Sequence, residues 1–238
     1  MKLAIMQPYF LPYLGYWQLM NYVDKYVLYD NIEYTKKGWI NRNRYLNNGE
    51  ASYFTIPLKK DSDYLDIVDR QIADSFQKEK IWNQLCAAYK KAPYWKNVQQ
   101  ILDEILSCDD KNLFNFIFSS ILVIRKWLDI NSELVISSQL PMDYSLKGAD
   151  KVKNICKVLD AQTYINPVGG VSLYSSKDFQ ENGVELQFMK MKENLKYSQY
   201  GTDYIQALSI IDVFAFNSVD EIKVLLNEFE ILNGGDQL

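Results

Sequence analysis

The segment AIMQPYFLPYLGYWQLM, Ala4–Met20, decides the fold because it reads as a strand, a loop and a helix in immediate succession. It begins with a short apolar run that is typical of a buried strand, and it ends with apolar residues at helical spacing. Two prolines mark the loop between them. The sequence therefore predicts a strand over Lys2–Met6, a loop over Gln7–Pro12 and a helix over Tyr13–Tyr22.

A second strand is predicted directly after this helix, over KYVLY at Lys25–Tyr29. A strand, a helix and another strand in this order form the βαβ unit of a parallel sheet. In such sheets, ligands bind beyond the carboxyl ends of the strands. Gln7, which follows the first strand, and Asp30, which follows the second, are therefore expected at one binding edge.

The rest of the chain predicts one α/β domain over residues 1–238, Rossmann-like, with a mainly parallel sheet and a central all-helical insertion. The insertion is expected at about 76–128, where apolar stripes recur at helical spacing. After the insertion, the pattern alternates again between short apolar runs and helical stripes. Further strands are predicted at 53–60, 133–137, 163–166 and 184–189, and helices at 149–159, 207–217 and 219–232.

Composition excludes several function classes. The 238 residues contain no histidine, which removes Ser-His-Asp and Cys-His catalysis and the usual zinc sites. The net charge of −4 argues against a nucleic-acid partner, and no apolar run reaches the roughly 20 residues of a membrane span. The three cysteines have no metal-binding spacing. We expect a cytoplasmic protein with reduced thiols, no metal site and no tightly bound cofactor.

The aromatic loop and the second strand end form the first candidate site, made of Gln7, Tyr9, Tyr13, Tyr16 and Asp30. A carboxylate at this edge could orient or deprotonate an amine or a hydroxyl. Tyrosines offer flat faces and hydroxyl donors with few rotatable bonds. The alternative is that the tyrosines belong to the core and that Asp30 only caps a strand.

The loop is also similar to the HxGH phosphate loop of nucleotidylyltransferases, with tyrosines in place of the histidines. This similarity allows a nucleotidylyltransferase-like version of the fold. Tyrosine can donate a hydrogen bond, but unlike histidine it cannot carry a positive charge. The substitution therefore argues against nucleotidyl transfer.

A basic and aromatic block forms the second candidate site, within a hairpin that turns at Asn47-Asn48-Gly49. Cations beside tryptophan and asparagine suit a diphosphate joined to a base or sugar ring. In an extended strand, Arg42 and Arg44 would share one face. The alternative is an edge strand that uses charge against aggregation. The candidate binding residues here are Lys37, Trp39, Asn41, Arg42, Asn43, Arg44 and Lys59.

A third candidate segment is YINPVGGVSLY, Tyr164–Tyr174, in which a strand ends at Asn-Pro and a Gly-Gly turn follows. Such a turn lets backbone amides approach a ligand. Two glycines are common in ordinary turns, and the spacing matches neither GxGxxG nor a P-loop. The candidate residues are Asn166, Gly169, Gly170 and Tyr174.

Five segments of the chain together resemble successive blocks of the WbqC-like family. They are MQPYFLPYLGYWQL, VLYDNIEYTKKGWINRNRY, FTIPLKK, ICKVLDAQTYINPVGGVSLY and LSIIDVFAFNS, in order from residue 6 to 218. The family is tied to bacterial O-antigen and surface-polysaccharide gene clusters. The resemblance implies transfer of glycine or another aminoacyl group to the amino group of a nucleotide-linked amino-deoxy sugar, such as a dTDP-sugar.

Under this hypothesis the acyl donor is a thioester, carried by the phosphopantetheine of a carrier protein or by CoA. Aminolysis of a thioester needs a neutral amine, correct positioning and stabilisation of an oxyanion. Asp30 would orient the amine or accept its proton, and Gln7, Asn43 or a tyrosine such as Tyr16 would face the oxyanion. The diphosphate would be held by Lys37, Arg42, Arg44 and Lys59, while Trp39 or a loop tyrosine stacks on the base or sugar.

Two other functions stay open at this point. The first is sugar or nucleotide transfer on the same fold, which needs a metal-binding carboxylate pair or HxGH-like cations. The chain has no DxD motif of that kind, since Asp61 and Asp63 suit a solvated turn. The second is a non-catalytic module that holds a sugar nucleotide for a partner enzyme.

Overall fold

The computed structural model describes residues 1–201 and 203–234 of the chain. Eight strands are present in this part of the chain, and they form a six-stranded sheet and a separate two-stranded hairpin. The strands are β1 (Lys2–Met6), β2 (Lys25–Leu28), β3 (Arg42–Asn47), β4 (Glu50–Thr55), β5 (Glu133–Ile136), β6 (Thr163–Pro167), β7 (Glu185–Met191) and β8 (Phe229–Asn233).

Helices cover the sheet and build the insertion. They are α1 (Leu14–Tyr22), α2 (Lys78–Tyr89), α3 (Trp95–Leu106), α4 (Leu113–Leu128), α5 (Gly148–Val158), α6 (Ser176–Glu181), α7 (Ile210–Phe216) and α8 (Val219–Leu225). No helix in residues 1–201 and 203–234 combines the length and apolar character that crossing a membrane requires.

The order of strands in the large sheet is β5-β2-β1-β6-β7-β8. In this sheet β5, β2, β1, β6 and β7 run parallel to one another, and β8 is antiparallel to β7. This is the Rossmann order, in which the chain builds outward from β1 in one direction and then in the other. The predicted α/β fold is therefore confirmed, and the crevice between the carboxyl ends of β1 and β6 is its switch point.

The inner positions of β1 and β2 are apolar because both faces of the sheet are buried. On β1, Ala4 packs into one core while Leu3 and Ile5 pack into the other. Since side chains alternate along a strand, a strand covered on both sides needs apolar residues at every position. This requirement explains why the opening segment reads as a continuous apolar run.

The predicted helical insertion is confirmed as α2, α3 and α4, which lie between β2 and β5 along the chain. The same connection also contains the β3–β4 hairpin, which the sequence predicted at the Asn-Asn-Gly turn. The strand predicted over 53–60 is instead β4, which ends at Thr55. The extent of a single domain over residues 1–238 stays a prediction.

The helix predicted over 219–232 is wrong in its second half. Ser218 and Glu221 form a capping box that starts α8, but the helix ends at Leu225. The chain then enters β8 and pairs with β7. Short apolar segments fit either period, and the free edge of β7 decides the matter because it offers unpaired backbone groups.

A buried carboxylate, Asp212, joins α7 to the hairpin side of the molecule. Its oxygens accept hydrogen bonds from Tyr89 Oη at 2.8 Å, Tyr197 Oη at 2.7 Å and Gln199 Nε2 at 2.7 Å. Tyr89 Oη in turn accepts from the Leu46 amide of β3 at 2.8 Å. Burial raises the pKa of Asp212, while these three donors oppose the rise. The network therefore links Tyr197, Gln199 and α7 to Tyr89 of α2 and, through it, to the hairpin.

Replacement of Asp212 with alanine is expected to lower the free energy of unfolding by about 2–4 kcal/mol, because it leaves three buried donors without an acceptor. Tyr197→Phe removes one donor and is expected to cost about 1 kcal/mol. Urea unfolding of both variants and the parent measures the difference. An Asp212→Ala protein as stable as Tyr197→Phe would contradict the network.

Candidate functional site

A cavity of about 310 Å³ lies at the switch point of the sheet. Met6, the last residue of β1, and Pro167, the last residue of β6, form its floor. Open α/β sheets bind ligands at this position, and the volume is at the lower end of the range of about 300–1,000 Å³ for ligand pockets. The lining residues are Met6, Tyr9, Tyr13, Trp39, Asn43, Arg44, Pro167 and Ala207.

Asn43 fixes the aromatic loop beneath the hairpin. Its side-chain Nδ2 donates to the carbonyls of Phe10 at 3.3 Å and Leu11 at 2.9 Å. The Phe10 amide donates to the Ile40 carbonyl at 2.9 Å. Leu11 has a φ of 49°, an unfavourable value for a residue with a side chain, so the loop needs these contacts to keep its shape. Asn43 therefore acts here as a positioning residue.

The segment before α7 supplies the third wall of the cavity. Arg44 Nη2 donates to the carbonyls of Gln206 at 3.1 Å and Ala207 at 3.0 Å. Ser209 Oγ donates to the Leu11 carbonyl at 2.8 Å, and the Ser209 amide donates to the Arg44 carbonyl at 2.8 Å. The loop, the hairpin and this segment thus meet around the cavity.

Two aromatic rings and two guanidinium groups stack at the hairpin. The rings of Trp39 and Tyr53 stack with centroids 6.2 Å apart, and Trp39 is 39% exposed. The guanidinium carbon of Arg42 lies 4.8 Å from the Tyr53 centroid, and that of Arg44 lies 5.6 Å from the Trp39 centroid. Flat aromatic faces next to fixed cations suit an aromatic or sugar ring that is joined to a negatively charged group.

The tyrosines of the loop are hydrogen-bond donors at neutral pH. Burial raises the pKa of Tyr9 to about 12, and it also raises the pKa of Tyr13 and Tyr16. Tyr9 Oη donates to Gln7 Oε1 at 3.4 Å, a long contact, and Tyr16 Oη donates to the Gln7 carbonyl at 3.2 Å. Tyr9 and Tyr13 line the cavity, whereas Tyr16 is buried beneath them and is absent from the lining.

Asp30 lies at the carboxyl end of β2, as predicted, but it is not among the residues that line the cavity. It is fully buried, and its oxygens accept from Ser137 Oγ at 2.8 Å, Ser138 N at 2.9 Å and Ser138 Oγ at 2.6 Å. These donors come from the end of β5, so Asp30 ties two strand ends together. Its proposed catalytic role stays a prediction.

Lys151 is a buried lysine near Asp30 that the sequence did not predict as a site residue. Lys151 Nζ donates to the Asn31 carbonyl and lies 5.0 Å from the Tyr29 ring centroid. Burial lowers the pKa of Lys151, while Asp66 and Asp30 oppose the fall. The only signal in the sequence is the position of Lys151 among the first residues of a helix that follows a strand, which is too common to single it out.

The other basic-block residues separate from the cavity. Asn41 is buried, accepts from Tyr34 Oη at 2.8 Å and donates to the Ile56 carbonyl at 2.7 Å. Lys59 forms an ion pair with Asp74 at 3.2 Å, and Lys37 is exposed with a φ of 62°. Of the four predicted diphosphate ligands, only Arg44 lines the cavity.

The Asn-Pro-Val-Gly-Gly segment, residues 166–170, contributes its proline alone to the cavity. Asn166 is buried and accepts from Tyr164 Oη at 3.2 Å, while Tyr174 packs against the Tyr164 ring with centroids 5.6 Å apart. A Cβ at Gly170 would lie 2.0 Å from Asn166 Nδ2, so a larger residue there would displace the Asn166 side chain. Gly169 is exposed.

Three lining residues were missed by sequence reasoning, namely Met6, Pro167 and Ala207. Met6 and Pro167 end the two strands at the switch point, and only the strand order identifies these two ends as neighbours. Ala207 has a φ of 55°, which residues with side chains rarely adopt. Nothing in an alanine reports that conformation.

Comparison with known proteins gives one family and one relative. The WbqC-like protein family matches residues 7–224 of the chain. A curated protein of Mycobacterium tuberculosis (strain ATCC 25618 / H37Rv), the uncharacterized protein Rv1507c, is 25% identical over 223 residues, covering 89% of this chain and 92% of that protein. No solved structure matches the chain.

Replacement of Asn43 with alanine is expected to release the aromatic loop and to lower the free energy of unfolding by about 1–3 kcal/mol, since the Phe10 carbonyl loses its side-chain donor and the Leu11 carbonyl keeps only Ser209 Oγ. Asn47→Ala is the matched control, because Asn47 lies on the same strand but is exposed and donates only to Ser52 Oγ. Hydrogen exchange at the Phe10 amide and urea unfolding measure the two effects. An unchanged rate of hydrogen exchange at the Phe10 amide in Asn43→Ala would contradict the positioning role of Asn43.

Proposed function

The chain belongs to the WbqC-like protein family, and we propose that it is an N-acyltransferase that acts on the amino group of a nucleotide-linked amino-deoxy sugar. The acyl group proposed is an aminoacyl group such as glycyl. The product would enter O-antigen or other surface-polysaccharide synthesis. The observation that supports this proposal best is the cavity at the switch point, which combines aromatic faces, a guanidinium group and neutral hydroxyl donors.

The stacked hairpin residues suit the nucleotide end of such a substrate. A base or sugar ring would lie on the face of Trp39, and the diphosphate would approach Arg44 and Arg42. Arg44 is already fixed by two backbone carbonyls, so little side-chain freedom is lost on binding. Its Nε is buried and has no hydrogen-bond partner in the described part of the chain.

Thioester aminolysis needs no histidine. The amine nitrogen attacks the thioester carbonyl carbon, a C–N bond forms and the C–S bond breaks. The departing thiolate takes up the proton that the amine loses, so the amide and the free thiol are the products. The barrier falls when the amine and the thioester are held together and when donors face the developing oxyanion.

The phenols of Tyr9 and Tyr13 are the donors that line the cavity. Their raised pKa keeps them protonated at neutral pH, as an oxyanion donor requires. The single hydroxyl proton of Tyr9 would leave its long 3.4 Å contact with Gln7 Oε1 in order to donate to the oxyanion. Asp30, Gln7, Tyr16 and Asn43 stay sequence-based catalytic candidates, and we propose Tyr9 and Tyr13 for contact with the oxyanion because both line the cavity.

A binding module for sugar nucleotides is the second candidate. The cavity lining contains neither a carboxylate nor a lysine, so it offers binding faces without an evident acid–base group. The same lining disfavours sugar or nucleotide transfer, which would use a carboxylate pair or several cations. Calorimetry with substrate, combined with a turnover assay, separates binding alone from catalysis.

Purified protein supplied with a dTDP-linked amino sugar and glycyl-CoA or a glycyl carrier protein is expected to form an amide, detected by mass spectrometry. Trp39→Ala should raise KM about tenfold or more with a smaller change in kcat, because stacking contributes about 1–3 kcal/mol per base. Tyr64→Ala is the control, since Tyr64 is 83% exposed and lies outside the cavity lining. No amide with either donor would reject catalysis, and binding without turnover would favour the module.

The Tyr9→Phe variant tests the proposed oxyanion donor. Removing a single such donor typically costs about 10²–10³ in kcat, so we expect a large loss of kcat with little change in KM. Tyr64→Phe provides the matched loss of an exposed hydroxyl. Steady-state kinetics of the three proteins measures the effect. Equal kcat values for Tyr9→Phe and the parent would remove this phenol from the mechanism.

A further inference from the structure

A second groove of about 520 Å³ lies beside the hairpin and shares no lining residue with the cavity. Its walls come from residues 34–41, before β3, and from residues 58–70, after β4. Four cations and two carboxylates line it, which gives an excess of positive charge in a protein whose net charge is −4. The charged residues are Lys36, Lys59, Lys60, Arg70, Asp61 and Asp63.

Arg70 is the unusual residue of the groove. Its side chain is buried to the extent that the residue is only 4% exposed. Nη1 donates to the Ser62 carbonyl at 3.0 Å, and the guanidinium carbon lies 4.6 Å from the Tyr34 ring centroid. Nε is buried without a hydrogen-bond partner, and no carboxylate within residues 1–201 and 203–234 forms an ion pair with Arg70.

The carboxylates nearby make their close contacts with other groups, and the charge of Arg70 adds only a smaller contribution, after Lys36, to the lowered pKa of Asp63. Asp63 forms an ion pair with Lys36 at 2.6 Å, and Lys59 forms one with Asp74 at 3.2 Å. Asp61 Oδ1 accepts from the Ser62 amide. Lys60 is exposed and has no ion-pair partner among the described residues. Arg70 and Lys60 therefore remain as unpaired cations in one groove.

A buried charge that lacks a partner is costly, and proteins normally pair it with an opposite charge. The backbone holds Arg70 firmly in place, because its amide donates to the Ile67 carbonyl at 3.2 Å and its carbonyl accepts from the Leu113 amide at 2.9 Å. These bonds fix the backbone from which the guanidinium extends into the groove. An anion in the groove would supply the missing charge and would accept hydrogen bonds from the guanidinium, which lines the groove.

We propose that this groove binds a phosphate group of a small phosphorylated ligand, with Arg70 as the principal contact and Lys60 as a second one. A planar guanidinium and a nearby ammonium suit the several oxygens of a phosphate, and the groove has room for more than the phosphate alone. The inference depends on the unpaired guanidinium and not on the proposed acyl transfer. Phosphates of a CoA-like molecule and of a nucleotide share this chemistry.

The four arginines of the chain, Arg42, Arg44, Arg70 and Arg125, allow a direct test by nitrogen-15 NMR of the Nε–H groups. Pyrophosphate is the probe, and the Arg70→Gln variant identifies the Arg70 signal by its disappearance. We expect pyrophosphate to shift the Arg70 signal in the parent protein in a saturable way. Arg125, whose guanidinium donates to the Ile130 and Ser132 carbonyls away from the groove, should stay unshifted.

Two variants measure the strength of the contact by calorimetry. Arg70→Gln is expected to weaken pyrophosphate binding at the groove tenfold or more. Lys60→Gln alters an exposed side chain, so it leaves the fold intact, and it is expected to weaken binding two- to fivefold. Lys177→Gln, a substitution on α6 outside the groove, is the control and should bind as the parent does.

The source of the phosphate is read from the same spectra. CoA, dephospho-CoA and dTDP are added in turn, and the one that shifts the Arg70 signal at the lowest concentration identifies the ligand class. Any of the three supports the site. An Arg70 signal that stays unshifted at millimolar pyrophosphate in the parent protein, or equal affinity of parent and Lys60→Gln, would overturn the proposal.

Discussion

The amide group of Asn43 is the interaction on which the rest of the site depends. Its two donors hold the carbonyls of Phe10 and Leu11, and so they fix an aromatic loop at the end of the first strand. Without these two hydrogen bonds, the loop would have many conformations of lower energy, because Leu11 has a φ of 49°. The segment before α7 contacts both of the other parts through Ser209. The Ser209 hydroxyl donates to the Leu11 carbonyl of the loop, and the Ser209 amide donates to the Arg44 carbonyl of the hairpin. Asn43 thus joins the hairpin to the loop, and Arg44 and Ser209 add the segment before α7 to the same cavity.

The lack of histidine shapes the chemistry that this cavity can support. Its polar side chains are two phenols, an amide and one guanidinium, and none of them exchanges a proton readily near neutral pH. Such a site can orient substrates and stabilise negative charge, but it cannot serve well as a general base. A reaction whose leaving group takes up the proton itself fits this limitation, and thioester aminolysis is such a reaction.

Positively charged side chains are divided between the cavity and the groove. The sequence places Lys37, Arg42, Arg44 and Lys59 in one basic region, but only Arg44 reaches the cavity. Lys59 lies in the other groove with Arg70, which stands apart from the basic block in the sequence. Arg44 in the cavity and Arg70 in the groove each have a buried Nε without a hydrogen-bond partner in the described residues. Under the two proposals, the anionic groups of the ligands would lie on either side of one hairpin.

The sequence by itself determined the α/β fold, the helical insertion, the hairpin and the placement of Gln7 and Asp30 at strand ends. It could do so because periods of 2 and 3.6 residues and turn residues are local signals. The burial of Asn41 and Asn43 opposite Arg42 and Arg44 also follows from strand alternation. Of the predicted site, Tyr9, Tyr13, Trp39, Asn43 and Arg44 do line the cavity.

Only the tertiary structure decided what surrounds these residues. Asp30 meets Ser137 across 107 residues of chain, and Leu11 meets Ser209 across 198. The same holds for β8, which is a strand because β7 offers it an edge, and for Arg70, whose missing counter-ion is visible only when all its neighbours are known. Such contacts form between segments that are distant in sequence. Local periodicity carries no information about them, because their free energy comes from burial and pairing that exist only in the folded chain.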